Sequence, residues 1–355
     1  MITIITTTGQ CNMRCGYCGG SFDPKLVPYR EEYFVDDLVD FIIERNSDVA
    51  FYGGEPLLNP ELIMKVMDSL TSRGWGGKFV IQTNGTLINN LPKRYWLSFD
   101  SVLLSIDGRP EVNDKQRGER NYREVVRTAR TLREFGFSND LVARMTAWEG
   151  TDIYEDITHL LGLGLFDHVH WQLNVIWSER WGFEEWARRY YLPSIKRLVS
   201  LWIEEMRRGR VLGIAPFLGT MRAVLFGDLP SPPCGAGSES LTVLPNGRVL
   251  ACPIAVDSDW AQVGRLGDSK FTEVRLGEPC LSCRYFRYCG GRCLYAYMER
   301  LWGEEGFNSV CDVVKETIDI IVRIESDVKE LIDDGIVNVE ELYYPKYNNT
   351  LEVIP

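Results

Sequence analysis

The stretch GQCNMRCGYCGG, Gly9–Gly20, sets Cys11, Cys15 and Cys18 within eight residues, beside Gly16, Gly19 and Gly20. A disulfide would leave one thiol over, and a structural zinc site normally takes four ligands. An iron–sulfur cube needs one ligand per iron, usually a thiolate. Three cysteines then leave one iron open to a small molecule, by the logic that keeps a position exchangeable in catalytic metal sites. The glycines let the backbone approach such a cube closely. The other cysteines are Cys234, Cys252, Cys280, Cys283, Cys289, Cys293 and Cys311. Single cysteines are often small buried hydrophobes, but this crowding toward the two ends of the chain suggests two separate metal-binding regions.

Further groups able to do chemistry sit where strands should end. Tyr52-Gly53-Gly54-Glu55-Pro56 is either a ligand-facing carboxylate or a glycine turn with a solvated one. Gln82 and Asn84 share one face of a strand, as do Ser105 and Asp107. Arg117 offers a guanidinium fork suited to a carboxylate, with Arg144 as its rival. His168, His170, Gln172 and Asn174 alternate with Val169, Trp171, Leu173 and Val175, so the polar row faces a cavity if the sheet closes. His168 reads more as a hydrogen-bonded interior residue. Trp177, Trp181 and Trp186 either line a substrate groove or, as aromatic stripes more often do, belong to the core.

The elements that must position these groups are strand candidates at 2–9, 48–54, 78–85, 101–108, 140–147 and 168–175, separated by helical patterns such as 33–46 and 121–135. Repeated β-α order implies parallel strands with right-handed crossovers. The expected fold is α/β, a partial (β/α)6 barrel over residues 1–215, with its chemistry at the C-terminal strand ends. Residues 176–208 close it as an aromatic-rich helical stretch. Residues 216–233, with Pro216, Pro230, Pro232 and Pro233, read as a bridge. Residues 234–312 read as a small cysteine-rich module, and 313–355 as a C-terminal helix with the loose tail NNTLEVIP.

Cys11-x3-Cys15-x-Tyr17-Cys18 resembles the defining motif of the radical S-adenosylmethionine (SAM) superfamily. That resemblance implies a [4Fe–4S] cluster whose open iron is chelated by SAM, a 5′-deoxyadenosyl radical, and Tyr17 lying against the adenine. Gly53-Gly54-Glu55 is similar to the family's GGE motif, which implies hydrogen bonds from the SAM ammonium. The same resemblance directs Asn84, Ser105 and Asp107 toward SAM. Asn113-x3-Arg117 resembles an HDxxR-like signature with Asn113 in place of histidine. The glycine-rich adenine motif of some branches is lacking on the fifth strand.

The seven later cysteines, with Gly247 between Cys234 and Cys252, resemble the SPASM domain of enzymes that modify peptides and proteins. This implies two auxiliary [4Fe–4S] clusters, one on Cys280, Cys283, Cys289 and Cys311 and one on Cys234, Cys252 and Cys293. Ser240 stands where some relatives supply a fourth ligand. A zinc module is the alternative, since Cx2C pairs bind zinc readily.

A net charge of -11 argues against a nucleic-acid surface. Neither a signal peptide nor an apolar run of membrane-spanning length is evident, so a cytoplasmic protein with reduced thiols is expected. The expected function is oxidative modification of a peptide or protein, such as a ribosomal peptide, giving a thioether, a cross-link or a formylglycine. The alternatives are a small-metabolite substrate or a non-catalytic zinc protein. Expected partners are the substrate, a low-potential donor such as ferredoxin or flavodoxin, and, as no leader-binding module precedes the first strand, a separate leader-binding protein.

Overall fold

Six segments rich in β-branched and aromatic residues form parallel strands in the computed structural model, which describes residues 1–229 and 231–345. Pro230 and the tail NNTLEVIP lie outside the described residues. The strands are β1 Ile2–Thr6, β2 Asp48–Tyr52, β3 Phe79–Thr83, β4 Ser101–Ser105, β5 Asp140–Ala147 and β6 His168–Leu173. Each pairs in parallel with the next, from Ile2 opposite Asp48 to Val142 opposite His168. All five residues of β1 are buried, as a strand covered on both faces requires.

The crossovers are amphipathic helices. Val35–Glu44 buries Leu38, Val39, Phe41 and Ile42. Asn121–Phe135 buries Val125, Val126, Ala129 and Leu132 and stops at Gly136, whose φ of 93° suits glycine. This is the expected α/β partial barrel. Five of the six strands end two residues or more before the apolar pattern does. The residues beyond those ends, among them Gly53, Asn84 and Asp107, are loops at one end of the sheet.

The second half differs from expectation in two ways. Pro216, read as part of a bridge, lies in the first turn of a helix, Ala215–Leu225. Proline is tolerated there because the first N–H groups of a helix have no internal partner. Phe217 of that helix packs edge-on against Trp171 and Trp202, at 6.2 and 5.5 Å between ring centroids. Secondly, the cysteine-rich segment joins the main sheet. Its first strand, β7 Ser240–Val243, runs parallel beside β1, with Ile2 opposite Ser240. β8 Arg248–Leu250 and β9 Gln262–Arg265 continue the sheet antiparallel, giving the order β6-β5-β4-β3-β2-β1-β7-β8-β9. The helix Gly303–Val322 packs against the helices Leu192–Arg207 and Ala215–Leu225. Among the described residues no helix is long and apolar enough to cross a membrane.

Candidate active site

The loops after β1, β2, β3 and β4 meet over one cavity of about 450 Å³. Backbone bonds fasten the first two together: Gly54 N donates to Thr8 O at 3.0 Å and Glu55 N to Gln10 O at 2.8 Å. Glycine is required at both positions before Glu55. Gly53 has φ 140° and a Cβ there would lie 2.5 Å from Thr8 O; at Gly54 it would lie 2.3 Å from Gln10 O. Glu55, 1% exposed, accepts from Thr83 Oγ1 at 2.7 Å, Asn84 N at 2.8 Å and Leu57 N at 3.1 Å. Burial nevertheless pushes its carboxyl up to about 7. Asn84 donates to Asn12 Oδ1 at 2.8 Å, joining the β3 loop to the cysteine loop.

Tyr17, Asp107 and Arg117 form a second joint. Tyr17 donates to Asp107 Oδ2 at 2.6 Å, and Arg117 grips both carboxylate oxygens at 2.9 Å each. Thr146 N donates to Oδ1 at 2.9 Å, while Asp107 N donates to Asn113 Oδ1 at 3.0 Å. Asn113 thus does a backbone-capping job at the position where the resembling signature has histidine. Burial pushes the Tyr17 phenol up. Burial would lower the Arg117 guanidinium, but the charge of Asp107 holds it above its ordinary value.

Tyr17, Gly53, Gly54, Glu55, Asn84, Ser105, Arg117 and Arg144 line the cavity, together with Cys11, Cys15 and Cys18. Asp107 does not. It is fully enclosed, and its carboxylate is taken up by Tyr17, Arg117 and Thr146, so it shapes the wall from behind. Arg144 meets His170 Nδ1 at 2.6 Å. Arginine only donates, so Nδ1 accepts. Gln172 and Asn174 also line the cavity. His168 is turned away, bonded to Asp140 Oδ1 at 2.6 Å and stacked on Tyr344. Trp177 lines the cavity, whereas Trp181 and Trp186 pack with Phe183 in an aromatic core cluster.

The donor set suits a thiolate-held cluster. The Cys15 thiol donates to Cys18, which lowers Cys18 and raises Cys15, so one sulfur of the pair is readily anionic. A Cβ at Gly19, which lines the cavity with the three cysteines, would meet only open space. Cys234, Cys252 and Ser240 line the same cavity. Cys293 is buried and lies outside the cavity wall. Cys280, Cys283, Cys289 and Cys311 gather elsewhere: burial and the charges of Cys311, Cys289 and Cys283 push Cys280 up to about 11. Four thiols that oppose one another's ionisation are relieved by a bound cation. Among the described residues no three His, Cys, Asp or Glu side chains converge tightly enough for a single ion. A cube spreads its ligands over separate irons and does not need that convergence.

Several cavity residues carried no sequence signal: Thr83, which orients Glu55, and Met13, Phe22, Thr146 and Asp257. Thr83 alternates with Gln82 and Asn84 along β3, so strand periodicity points it away from the face that holds them.

Residues 5–161 match the Radical SAM superfamily. The chain is 23% identical to a cysteine-type anaerobic sulfatase-maturating enzyme of Clostridium perfringens (strain 13 / Type A), covering 92% of this chain and 99% of that one. It is 27% identical to the mycofactocin maturase MftC of Mycobacterium ulcerans, over 81% of each. In fold it resembles native anSMEcpe with bound AdoMet and Cp18Cys peptide, with a TM-score of 0.71 at 19% identity, covering 94% of this chain and 98% of that one. Streptococcus suis SuiB bound to S-adenosylmethionine gives 0.60 at 17%, covering 86% and 75%. With its cysteine loop, GGE turn and parallel sheet meeting at one cavity, the chain carries a radical SAM domain over residues 5–161 and is a radical SAM enzyme.

Proposed function

We propose that this enzyme carries out an oxidative modification of a peptide or protein, of the thioether, cross-link or formylglycine type. The single observation that carries the reading is the shared cavity: Cys11, Cys15 and Cys18 line it together with Cys234 and Cys252. A substrate between them would meet a site of hydrogen abstraction on one side and an electron acceptor on the other. In this reading Cys11, Cys15 and Cys18 hold the SAM-binding [4Fe–4S] cluster. Cys280, Cys283, Cys289 and Cys311 hold one auxiliary cluster, and Cys234, Cys252 and Cys293 the other, in a SPASM module.

Loaded in this way, the cofactors supply a 5′-deoxyadenosyl radical and a place for the electron left on the substrate. The chain's own residues bind, orient and exclude water. Glu55, fixed by three donors, presents an acceptor for the SAM amino group beside Gly53 and Gly54. Arg144 is the better partner for the SAM carboxylate. The charge of Arg117 is already met by Asp107. Tyr17, anchored through Asp107, offers a ring edge to the adenine. Ser105 faces the cavity where a ribose hydroxyl would lie. The protein acts in the cytoplasm, fed by ferredoxin or flavodoxin.

The test is anaerobic reconstitution followed by co-expression with small proteins encoded nearby. The reading expects about twelve irons per chain, 5′-deoxyadenosine formed with reductant, and a mass change in one small protein. Zinc in place of iron, or no 5′-deoxyadenosine, refutes it.

A further inference from the structure

The strand register lays the cavity's polar residues out in rows. Ser105 pairs with Arg144 and Arg144 with His170, so one row crosses β4, β5 and β6. Asn84 joins it, since Thr83 just before it pairs with Leu104. The reading above assigns Ser105 and Arg144 of this row to SAM. Thr146 pairs with Gln172 two residues further on, and Asn174 stands two residues beyond that, just past the end of β6. At about 3.3 Å per residue of parallel strand, Asn174 lies about 13 Å past His170 toward the C-terminal strand ends. It is beyond the SAM row and still lines the cavity.

The backbone of Asn174 is fixed from both sides. Its N–H donates to Ala147 O at 2.8 Å, and its carbonyl accepts from Ser178 Oγ at 3.1 Å and Trp181 Nε1 at 2.9 Å. Trp302 Nε1 donates to Ser178 O at 2.7 Å and ties this turn to the C-terminal half. Leu173 and Val175, on the other face, are buried in the core. The side chain is not held in this way. Asn174 is half-buried, and among the described residues its carboxamide has no hydrogen-bond partner. The Asn84 carboxamide, by contrast, donates to Asn12 Oδ1 and accepts from Thr86 N and Oγ1 at 3.0 and 2.7 Å. Gln82 also lacks a partner among the described residues, but it precedes Asn84 by two residues and so lies on the far side of the SAM row. A carboxamide on a fixed backbone, with donor and acceptor both unspent, is a contact prepared for something else.

We propose that Asn174 is a substrate-positioning residue whose carboxamide exchanges hydrogen bonds with the main-chain N–H and C=O of one extended residue of the substrate peptide. In an extended chain those two groups of a residue point the same way, as they do where residues of antiparallel strands exchange both bonds. The carboxamide offers one acceptor and a donor to match them. Such a contact reads no side chain. It fixes where the peptide lies and leaves the choice of residue to the rest of the cavity. The proposal rests on the peptide-modifying reading above and adds the residue that holds the peptide beyond SAM.

The test uses the reconstituted enzyme with SAM, under anaerobic equilibrium dialysis read by mass spectrometry. The probes are a pool of capped hexapeptides randomised at every position and the same pool N-methylated at every residue, which removes the main-chain donors. The parent should bind the first pool about tenfold better than the second, the size of two neutral hydrogen bonds. Asn174→Leu, close in size and without polar atoms, should bring the two pools to within about twofold by weakening only the first. Asn174→Asp keeps the acceptor and loses the donor, so its preference should fall between, and it supplies the comparison if leucine impairs iron loading. A preference in the parent that survives Asn174→Leu overturns the proposal, as does an equal loss of both pools. So does weaker SAM binding by Asn174→Leu with the peptide preference unchanged, which would give the carboxamide to the adenine edge. Formation of 5′-deoxyadenosine by the parent without peptide is measured alongside. Its absence sinks the radical SAM reading, binding of neither pool sinks the peptide reading and this inference with it, and equal binding of both pools sinks only the anchor.

Discussion

Replacing Asp107 with asparagine tests whether the cavity wall is held by one buried ion pair. Asp107 is fully enclosed and the Arg117 side chain only 8% exposed, so water cannot take over when the charge is removed. Asparagine keeps one carbonyl oxygen for three donor groups, Tyr17, Arg117 and Thr146, and turns an amide toward the guanidinium. Breaking a buried pair from one side costs about 3–5 kcal/mol, because the other charge is left without a counterion. At about 2 °C per kcal/mol for a chain of this size, the thermal midpoint should fall by roughly 6–10 °C. Adding Arg117→Met removes the stranded cation and should restore at least half of the loss. Differential scanning calorimetry of the parent, both single variants and the pair gives the coupling directly. A fall of under about 2 °C for Asp107→Asn, or a double variant worse than the sum of the singles, would refute the reasoning.

Glu55 gives a pH test. Its folded value lies near 7 against an ordinary 4.5, so the folded chain holds this proton more tightly than the unfolded chain does. Stability from this group is therefore complete below about 4.5 and declines as pH rises through about 7, by about 3 kcal/mol in all. Urea titrations of SAM-free protein should show that slope and Glu55→Gln should lack it; parallel curves would count against the buried carboxyl. Changing Cys11, Cys15 and Cys18 to alanine should lower iron by about four per chain and leave the rest, by iron and sulfide assay. Ser240, buried at the start of β7 and lining the cavity with Cys234 and Cys252, is the place to close the third cluster. Ser240→Cys should keep its iron and form 5′-deoxyadenosine, yet lose product if substrate needs that iron. Full product with spectroscopic proof of the added thiolate rules substrate ligation out.

What the sequence discloses here is whatever is encoded locally. The strand order along the chain, the loop after each strand and the cysteine spacings all follow from residues within a turn or two of one another. That is why Gly53, Gly54, Glu55, Asn84 and Ser105 could be placed around one opening from their strands alone. Asp107 escaped because its role depends on three elements at once: Tyr17 from the cysteine loop, Arg117 from the helix Pro110–Arg117, and Thr146 from β5. Alternation along β4 sends its side chain toward the cavity. It does not show that two other side chains and a backbone amide take up that carboxylate. The pairing of residue 2 with residue 240 is equally non-local, and no periodicity in either strand names the other.

That pairing has a consequence for the chemistry. Because β7 runs parallel beside β1, Cys234, which precedes β7, and Cys252, which follows the antiparallel β8, lie toward the Ile2 end of β1, while the Cys11 loop leaves its Thr6 end. A separate module on a flexible bridge would have to find that position by docking. Here the backbone bonds of β1 to β7 set it, with Ile2 N donating to Glu239 O at 2.8 Å just below Ser240. The separation of the two cysteine groups then follows the run of β1 from Ile2 to Thr6 and not a docking contact.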